Sequence, residues 1–134
     1  MTHKFKVAKF AAVGALVVSA SLLSAPSASA EDGNIKVSQW DPQGNIRVIA
    51  NFRSYGDELA ACDVMADGYG AWAGLYKNVY NGSGIFIKSV SAGGNGNCRT
   101  NTQNVAEGTV VWIKICLRQN GINFACKWSH SGYA

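Results

Sequence analysis

Histidine, proline and closely spaced cysteines are what this chain has least of, and each shortage excludes something. Its 134 residues include two histidines, His3 and His130, and two prolines, Pro26 and Pro42. A Ser-His-Asp or Cys-His arrangement needs a histidine beside its nucleophile. Beyond residue 30 the sole candidate is His130, in Ser129-His130-Ser131-Gly132, where proximity to the C-terminus predicts a mobile, exposed tail. No two of the four cysteines stand at Cys-x-x-Cys spacing, so zinc-ligand spacing is absent. The glycine-rich run Ser91 to Asn97 has no Gly-Lys-Ser/Thr to close it and no amphipathic helix after it, so it reads as a surface loop rather than a phosphate cradle.

A one-signed charge excess is missing too, once the first residues are set aside. Lys4, Lys6 and Lys9 precede the apolar run Phe10 to Leu23, and Ala28-Ser29-Ala30 supplies small residues for processing, the three parts of a secretory signal. Cleavage after Ala30 is expected, with residues 1–30 as the leader and 31–134 as a single exported domain. The apolar run is shorter than the roughly 20 residues a bilayer span requires, and no second such run follows, so no membrane association is expected after processing. Loss of the three leader lysines takes the formal charge from +4 to +1. The remaining basic residues, Arg47, Arg53, Lys88, Arg99, Lys114, Arg118 and Lys127 among them, are scattered, which gives no electrostatic case for nucleic acid.

What is present is strand chemistry. Ile35, Val37 and Gln39 alternate with Lys36, Ser38 and Trp40; Asp41-Pro42-Gln43-Gly44 supplies a turn; Ile46, Val48, Ala50 and Phe52 then alternate with Arg47, Ile49, Asn51 and Arg53. Period-two alternation on both sides of a turn predicts two antiparallel strands, with Trp40 packing at a strand end. Leu59 to Val64 reads as a short strand and Tyr69 to Lys77 as a longer one, although Glu58, Leu59, Ala60 and Ala61 equally suit a helix over 57–65. In the longer strand Ala71, Ala73 and Leu75 share one face, and Trp72, Gly74 and Tyr76 the other. Asn81-Gly82-Ser83-Gly84 is a turn before the strand Ile85 to Val90. Asn81-Gly82-Ser83 also matches a glycosylation acceptor, but the bacterial look of the leader leaves it as turn chemistry.

The chain closes on EGTVVWIKICLRQNGINFACKW, Glu107 to Trp128, whose apolar flanks around Asn120-Gly121 predict a β-hairpin. Thr109, Val111, Ile113, Ile115 and Leu117 are expected to face the core, with Val110, Trp112, Lys114, Cys116 and Arg118 on the other side. Cys62, Cys98, Cys116 and Cys126 predict two disulfides in an exported chain. Three pairings are open; Cys62–Cys98 with Cys116–Cys126 is favoured because near neighbours meet easily. A strict two-residue turn would set Cys116 against Ala125, so a Cys116–Cys126 bridge demands a bulge or a longer loop. The fold expected is all-β, a small antiparallel β-sandwich, immunoglobulin-like in general architecture, of about seven or eight strands.

The segment Cys62-Asp63-x-x-Ala66-Asp67-Gly68-x-x-Ala71-x-x-x-Leu75, with Gly96-Asn97-Cys98, Glu107-Gly108-Thr109, and Cys116, Cys126 and Trp128 ahead of Gly132-Tyr133-Ala134, resembles small secreted proteins of streptomycetes and related actinobacteria. The likeness covers most of residues 46–134. It implies a secreted fold and carries over neither an activity nor a functional residue. In size and cysteine count the chain is also similar to secreted inhibitors and small-ligand-binding sandwiches, whose motifs it lacks.

Function is read from the aromatics. Apart from Phe5 and Phe10 every aromatic lies in residues 31–134, and Tyr55, Tyr69, Trp72, Tyr76 and Tyr80 crowd one stretch as candidate ligand-binding residues. A carboxylate-dependent hydrolase would have to draw on Asp57, Glu58, Asp63, Asp67 and Glu107, all beside turns, where acids are ordinarily solvated. The expectation is a non-catalytic extracellular module with no metal and no cofactor, acting as an inhibitor or small-ligand binder toward an unknown extracellular ligand or protein. The alternatives are a self-associating cell-surface protein and, last, a small hydrolase.

Overall fold

A computed structural model describes residues 33–134. The expected leader and its cleavage point after Ala30 lie outside the described residues. Eight strands and no helix make up the described chain: β1 (Ile35–Trp40), β2 (Ile46–Arg53), β3 (Glu58–Asp63), β4 (Gly70–Tyr80), β5 (Ser83–Ala92), β6 (Cys98–Thr102), β7 (Val110–Gln119) and β8 (Ile122–Tyr133). They form two antiparallel sheets, ordered β1-β2-β3-β6 and β5-β4-β7-β8. The all-β sandwich read from the sequence is thus found. Its connectivity is its own, because β3 here lies between β2 and β6 in the first sheet, where an immunoglobulin domain carries its third strand into the second.

The core follows from the alternation. Val48, Ala50 and Phe52 of β2, Leu59 and Ala61 of β3, Ala71, Ala73 and Leu75 of β4, and Val111, Ile113, Ile115 and Leu117 of β7 are all buried between the sheets. Small alanines on the middle strands leave room for Phe52 and the branched side chains of β7, so the two faces interdigitate. The same pattern settles 58–63 as strand. Its residues alternate between buried and partly exposed, and β2 and β6 satisfy the backbone on both sides, which outweighs helix propensity.

Three departures from the sequence reading have plain causes. β6, Cys98–Thr102, carries no hydrophobic alternation and was not expected; it is an edge strand held by pairing with β3 and by the Cys62–Cys98 disulfide directly across that pair. Trp40 is 57% exposed rather than packed. Period two puts Gln39, not Trp40, on the core face, and Gln39 Nε2 donates to the carbonyls of Ile115 at 2.9 Å and Ala125 at 2.6 Å, joining the two sheets. His130 does not sit in a mobile tail: it is exposed but belongs to β8, which pairs with β7 as far as Tyr133, after which the Ala134 amide donates to the Thr109 carbonyl at 2.9 Å.

The closing hairpin has the turn and the bulge that its sequence requires. Gln119 pairs with Ile122 across Asn120 (φ 49°) and Gly121 (φ 77°), a two-residue turn with both centres left-handed. Leu117 then pairs with Phe124 but Ile115 with Lys127, so Cys116 faces both Ala125 and Cys126, with Ala125 at φ 48°. That extra residue turns Cys126 to meet Cys116, and the second disulfide is Cys116–Cys126.

Candidate binding face on the second sheet

Strand alternation decides which side chains the second sheet turns to solvent. On β4 the burial of Ala71, Ala73 and Leu75 leaves Trp72, Gly74 and Tyr76 on the opposite face. Directly paired residues share a face, so the registers carry this set across the sheet. Phe86, Ser89 and Ser91 of β5 stand beside Tyr76, Gly74 and Trp72. Trp112, Lys114 and Arg118 of β7 stand beside Tyr76, Gly74 and Gly70. Trp128 and Ser131 of β8 complete the rows opposite Lys114 and Trp112.

The rings brace one another. Tyr76 meets Phe86 edge-on at 5.6 Å and Trp128 edge-on at 5.0 Å between centroids, and Lys114 Nζ lies 5.5 Å from the Trp128 ring centre. Gly74 keeps them low: a β-carbon there would run into the Trp72 ring and lie 2.7 Å from Tyr76 Cε2. Trp72 and Tyr76 therefore lean across the strand backbone instead of standing off it. Trp72, Tyr76, Trp112 and Trp128 are half-buried and Phe86 is exposed. Desolvation raises the Tyr76 phenol above its ordinary pKa, so the ring stays neutral.

Charge is distributed unevenly between the sheets. None of the strands β4, β5, β7 and β8 contains an Asp or Glu, whereas they hold Lys77, Lys88, Lys114, Arg118 and Lys127. The two ion pairs among the described residues, Arg47–Asp67 at 2.7 Å and Arg53–Glu58 at 3.6 Å, lie off this face. Arg118 donates to Asn123 Oδ1 at 2.9 Å, and it borders a cleft of about 630 Å³ between the β3–β4, β5–β6 and β7–β8 loops, lined also by Asp63, Tyr69, Asn95 and Asn120.

Of the five tyrosine and tryptophan candidates, the structure brings Trp72 and Tyr76 together. Tyr69 lies at the loop end, edge-on to Phe124 at 5.3 Å and under the Arg47 guanidinium at 4.9 Å. Tyr55, 98% exposed, is in the β2–β3 turn, and Tyr80, 78% exposed, ends β4. Phe86, Trp112, Lys114, Arg118 and Trp128 were missed as site residues. The signal for three of them was available, since Trp112, Lys114 and Arg118 alternate with core residues of β7 just as Trp72 and Tyr76 do on β4.

Two acids expected in solvent are buried instead. Asp57 accepts from the Val105 amide at 2.9 Å and Asp63 from the Met65 amide at 3.3 Å, each fixing a loop at one end of β3. Lys88, which alternation turns inward, is also buried; its ammonium donates to the Asp57 carbonyl and, at 2.7 Å, to the Gln103 carbonyl. No cluster of three or more His, Cys, Asp or Glu able to hold a metal ion occurs among the described residues, and no helix there is long and apolar enough to cross a membrane. Compared with protein-family models, curated proteins and solved structures, the chain matches none.

Proposed function

We propose that this protein is a secreted, non-catalytic binding module that holds an extended carbohydrate on the outer face of the β5-β4-β7-β8 sheet. The observation that carries the reading is the Trp72–Gly74–Tyr76 arrangement, in which two rings reach over a glycine, Phe86 and Trp128 stand edge-on to Tyr76, and Trp112 is its register neighbour. A sugar ring has an apolar C–H face that rests on an aromatic ring, and hydroxyls at its rim that suit the phenol, indole N–H and serine groups around it. The outer face of a sheet offers several rows for a chain of such rings to lie along, whereas a single small molecule takes a concave site.

Export is supported by the tripartite leader and by the two disulfides, which persist in oxidising surroundings. A hydrolase reading gains little from the buried acids: Asp57 and Asp63 stand at opposite ends of β3, about 20 Å apart along a strand, beyond the roughly 5–9.5 Å that paired carboxylates need. Self-association through the edges of the second sheet is opposed by register shifts in both its edge strands, β5 against β4 and β8 against β7, which interrupt the ladder a second copy would extend. The test is co-sedimentation with a panel of insoluble polysaccharides. Retention of the wild type and release of Trp72→Ala is the expected result; equal retention of both proteins overturns the reading.

A further inference from the structure

We infer that the carbohydrate is an acidic polysaccharide, a sugar chain bearing carboxylates, an inference that rests on the outer face of the second sheet being the binding surface. Along β4 and β7 that face alternates aromatic and cationic rows. Tyr76 with Trp112 comes first, Lys114 beside Gly74 next, then Trp72 beside Cys116, then Arg118 beside Gly70. Each step is two residues, so Lys114 and Arg118 are separated by about 13 Å along the strand; the Trp72 backbone stands between them, and its ring leans over Gly74 toward the Lys114 row. An extended chain lying along these strands meets the Trp72 and Tyr76 rings over Gly74 beside Lys114 and reaches Arg118 further along, with an acid beside each cation.

The charge pattern selects the acid. Four strands without a single Asp or Glu leave nothing on the face to repel a carboxylate or to neutralise Lys114 and Arg118, and neither cation has an ion-pair partner among the described residues. Lys114 lies against the Trp128 ring, which orients the ammonium without satisfying its donors. Arg118 spends one nitrogen on Asn123 and keeps the rest of its planar fork for a carboxylate. Two cations on a face, in a chain of formal charge +1 after loss of the leader lysines, are too few for a phosphate backbone, whose binding draws on many neutralised charges.

The test is affinity electrophoresis of the purified, disulfide-intact protein in native gels containing polygalacturonate or uncharged dextran. Polygalacturonate is expected to retard the wild type strongly and dextran weakly. The Lys114→Gln/Arg118→Gln double variant should lose about tenfold in affinity for polygalacturonate, the scale of losing charge-assisted bonds. Lys127→Gln, which removes a cation opposite Ile115 and off the face, should bind as wild type. Equal retardation by both polymers that is lost in Trp72→Ala but kept in the double variant would overturn the acidic-ligand inference while leaving the binding face standing. A loss in Lys127→Gln half as large, on a logarithmic scale, as that of the double variant, in proportion to the one charge removed against two, would reduce the effect to net charge and also overturn it. Absence of any Trp72-dependent retardation by either polymer would overturn both.

Discussion

The Trp72 ring lies across Gly74, occupying the space a β-carbon at that position would need. Gly74 is fully inside the second sheet, paired with Ser89 on one side and Lys114 on the other, and has ordinary strand backbone, so its lack of a side chain serves the rings above it and not a turn. Gly74→Ala should push Trp72 and Tyr76 off the sheet at the cost of ring movement only. The expected outcome is a loss of carbohydrate affinity of about tenfold with thermal stability shifted by less than about 1 kcal/mol, since alanine also regains strand propensity. Isothermal titration alongside a melting curve checks both halves.

The bulge at Ala125 is held in the left-handed region by the Cys116–Cys126 bridge and by Gln39, whose amide reaches the Ala125 carbonyl. An alanine at φ 48° costs roughly 1–2 kcal/mol relative to its preferred conformations, and glycine avoids most of that cost while losing more entropy on folding. Ala125→Gly is therefore expected to stabilise the protein by about 0.5 kcal/mol. Gln39→Leu should destabilise it by about 1–3 kcal/mol by taking the donor from the buried Ile115 carbonyl and the partly buried Ala125 carbonyl. Denaturant midpoints at unchanged slope would measure both.

Lys88 has been drawn into the core without a carboxylate in contact. Burial lowers its pKa, and the Asp57 charge only partly opposes this. Between the lowered folded value and the ordinary value near 10.4, the unfolded chain binds more protons than the folded one, so this residue's contribution makes stability rise with pH across that window. Lys88→Met should abolish that rise. It should also cost about 2–4 kcal/mol at neutral pH, because the Asp57 and Gln103 carbonyls lose their donor. Urea unfolding across pH 8 to about 10.5 follows the effect.

On the acid side the β1–β2 turn is the part that responds. Asp41 accepts from the amides of Asn45 at 2.8 Å and Gln43 at 2.9 Å, and the backbone hydrogen bond from Asn45 leads the causes that hold its carboxyl below the usual carboxylate range. A lowered folded pKa means stability present above the unfolded value near 3.9 and lost as pH falls through the folded value. Asp41→Asn keeps an oxygen acceptor and drops the charge, so it should flatten this part of the acid-unfolding curve and leave turn geometry unchanged in amide chemical shifts.

Legibility of this chain in its sequence followed the hydrophobic period. β1, β2, β4 and β7 alternate cleanly, and their core faces are those the period predicts. The hairpin bulge was readable as well, from the arithmetic between the Asn-Gly turn and the two cysteines. β6 was not, because Cys98-Arg99-Thr100-Asn101-Thr102 has no apolar face and is strand only by virtue of β3 and its disulfide. Trp40 follows phase and not size: an aromatic one residue after the core-facing Gln39 points outward.

The site was half-legible for a related reason. Sequence proximity grouped Tyr55, Tyr69, Trp72, Tyr76 and Tyr80, but the chain turns between them, and only alternate positions within one strand share a face. The partners of Trp72 and Tyr76 come from β5, β7 and β8, up to 52 residues further along the chain in the Tyr76–Trp128 pair. Sheet order and register decide such pairs, and a single sequence does not display them. The absence of acids from four strands was readable throughout, yet acquires meaning only when those strands prove to be one sheet.

Indole N–H signals give the most direct measurement, because the four tryptophans divide between the faces. Trp72, Trp112 and Trp128 belong to the outer face of the second sheet, while Trp40 is exposed on the first and serves as an internal control. Titration of the isotopically labelled protein with oligogalacturonate should shift the indole signals of Trp72, Trp112 and Trp128 and leave Trp40 in place. Shifts confined to Trp40, or none at saturating oligosaccharide of either acidic or neutral type, would contradict a binding face on the second sheet.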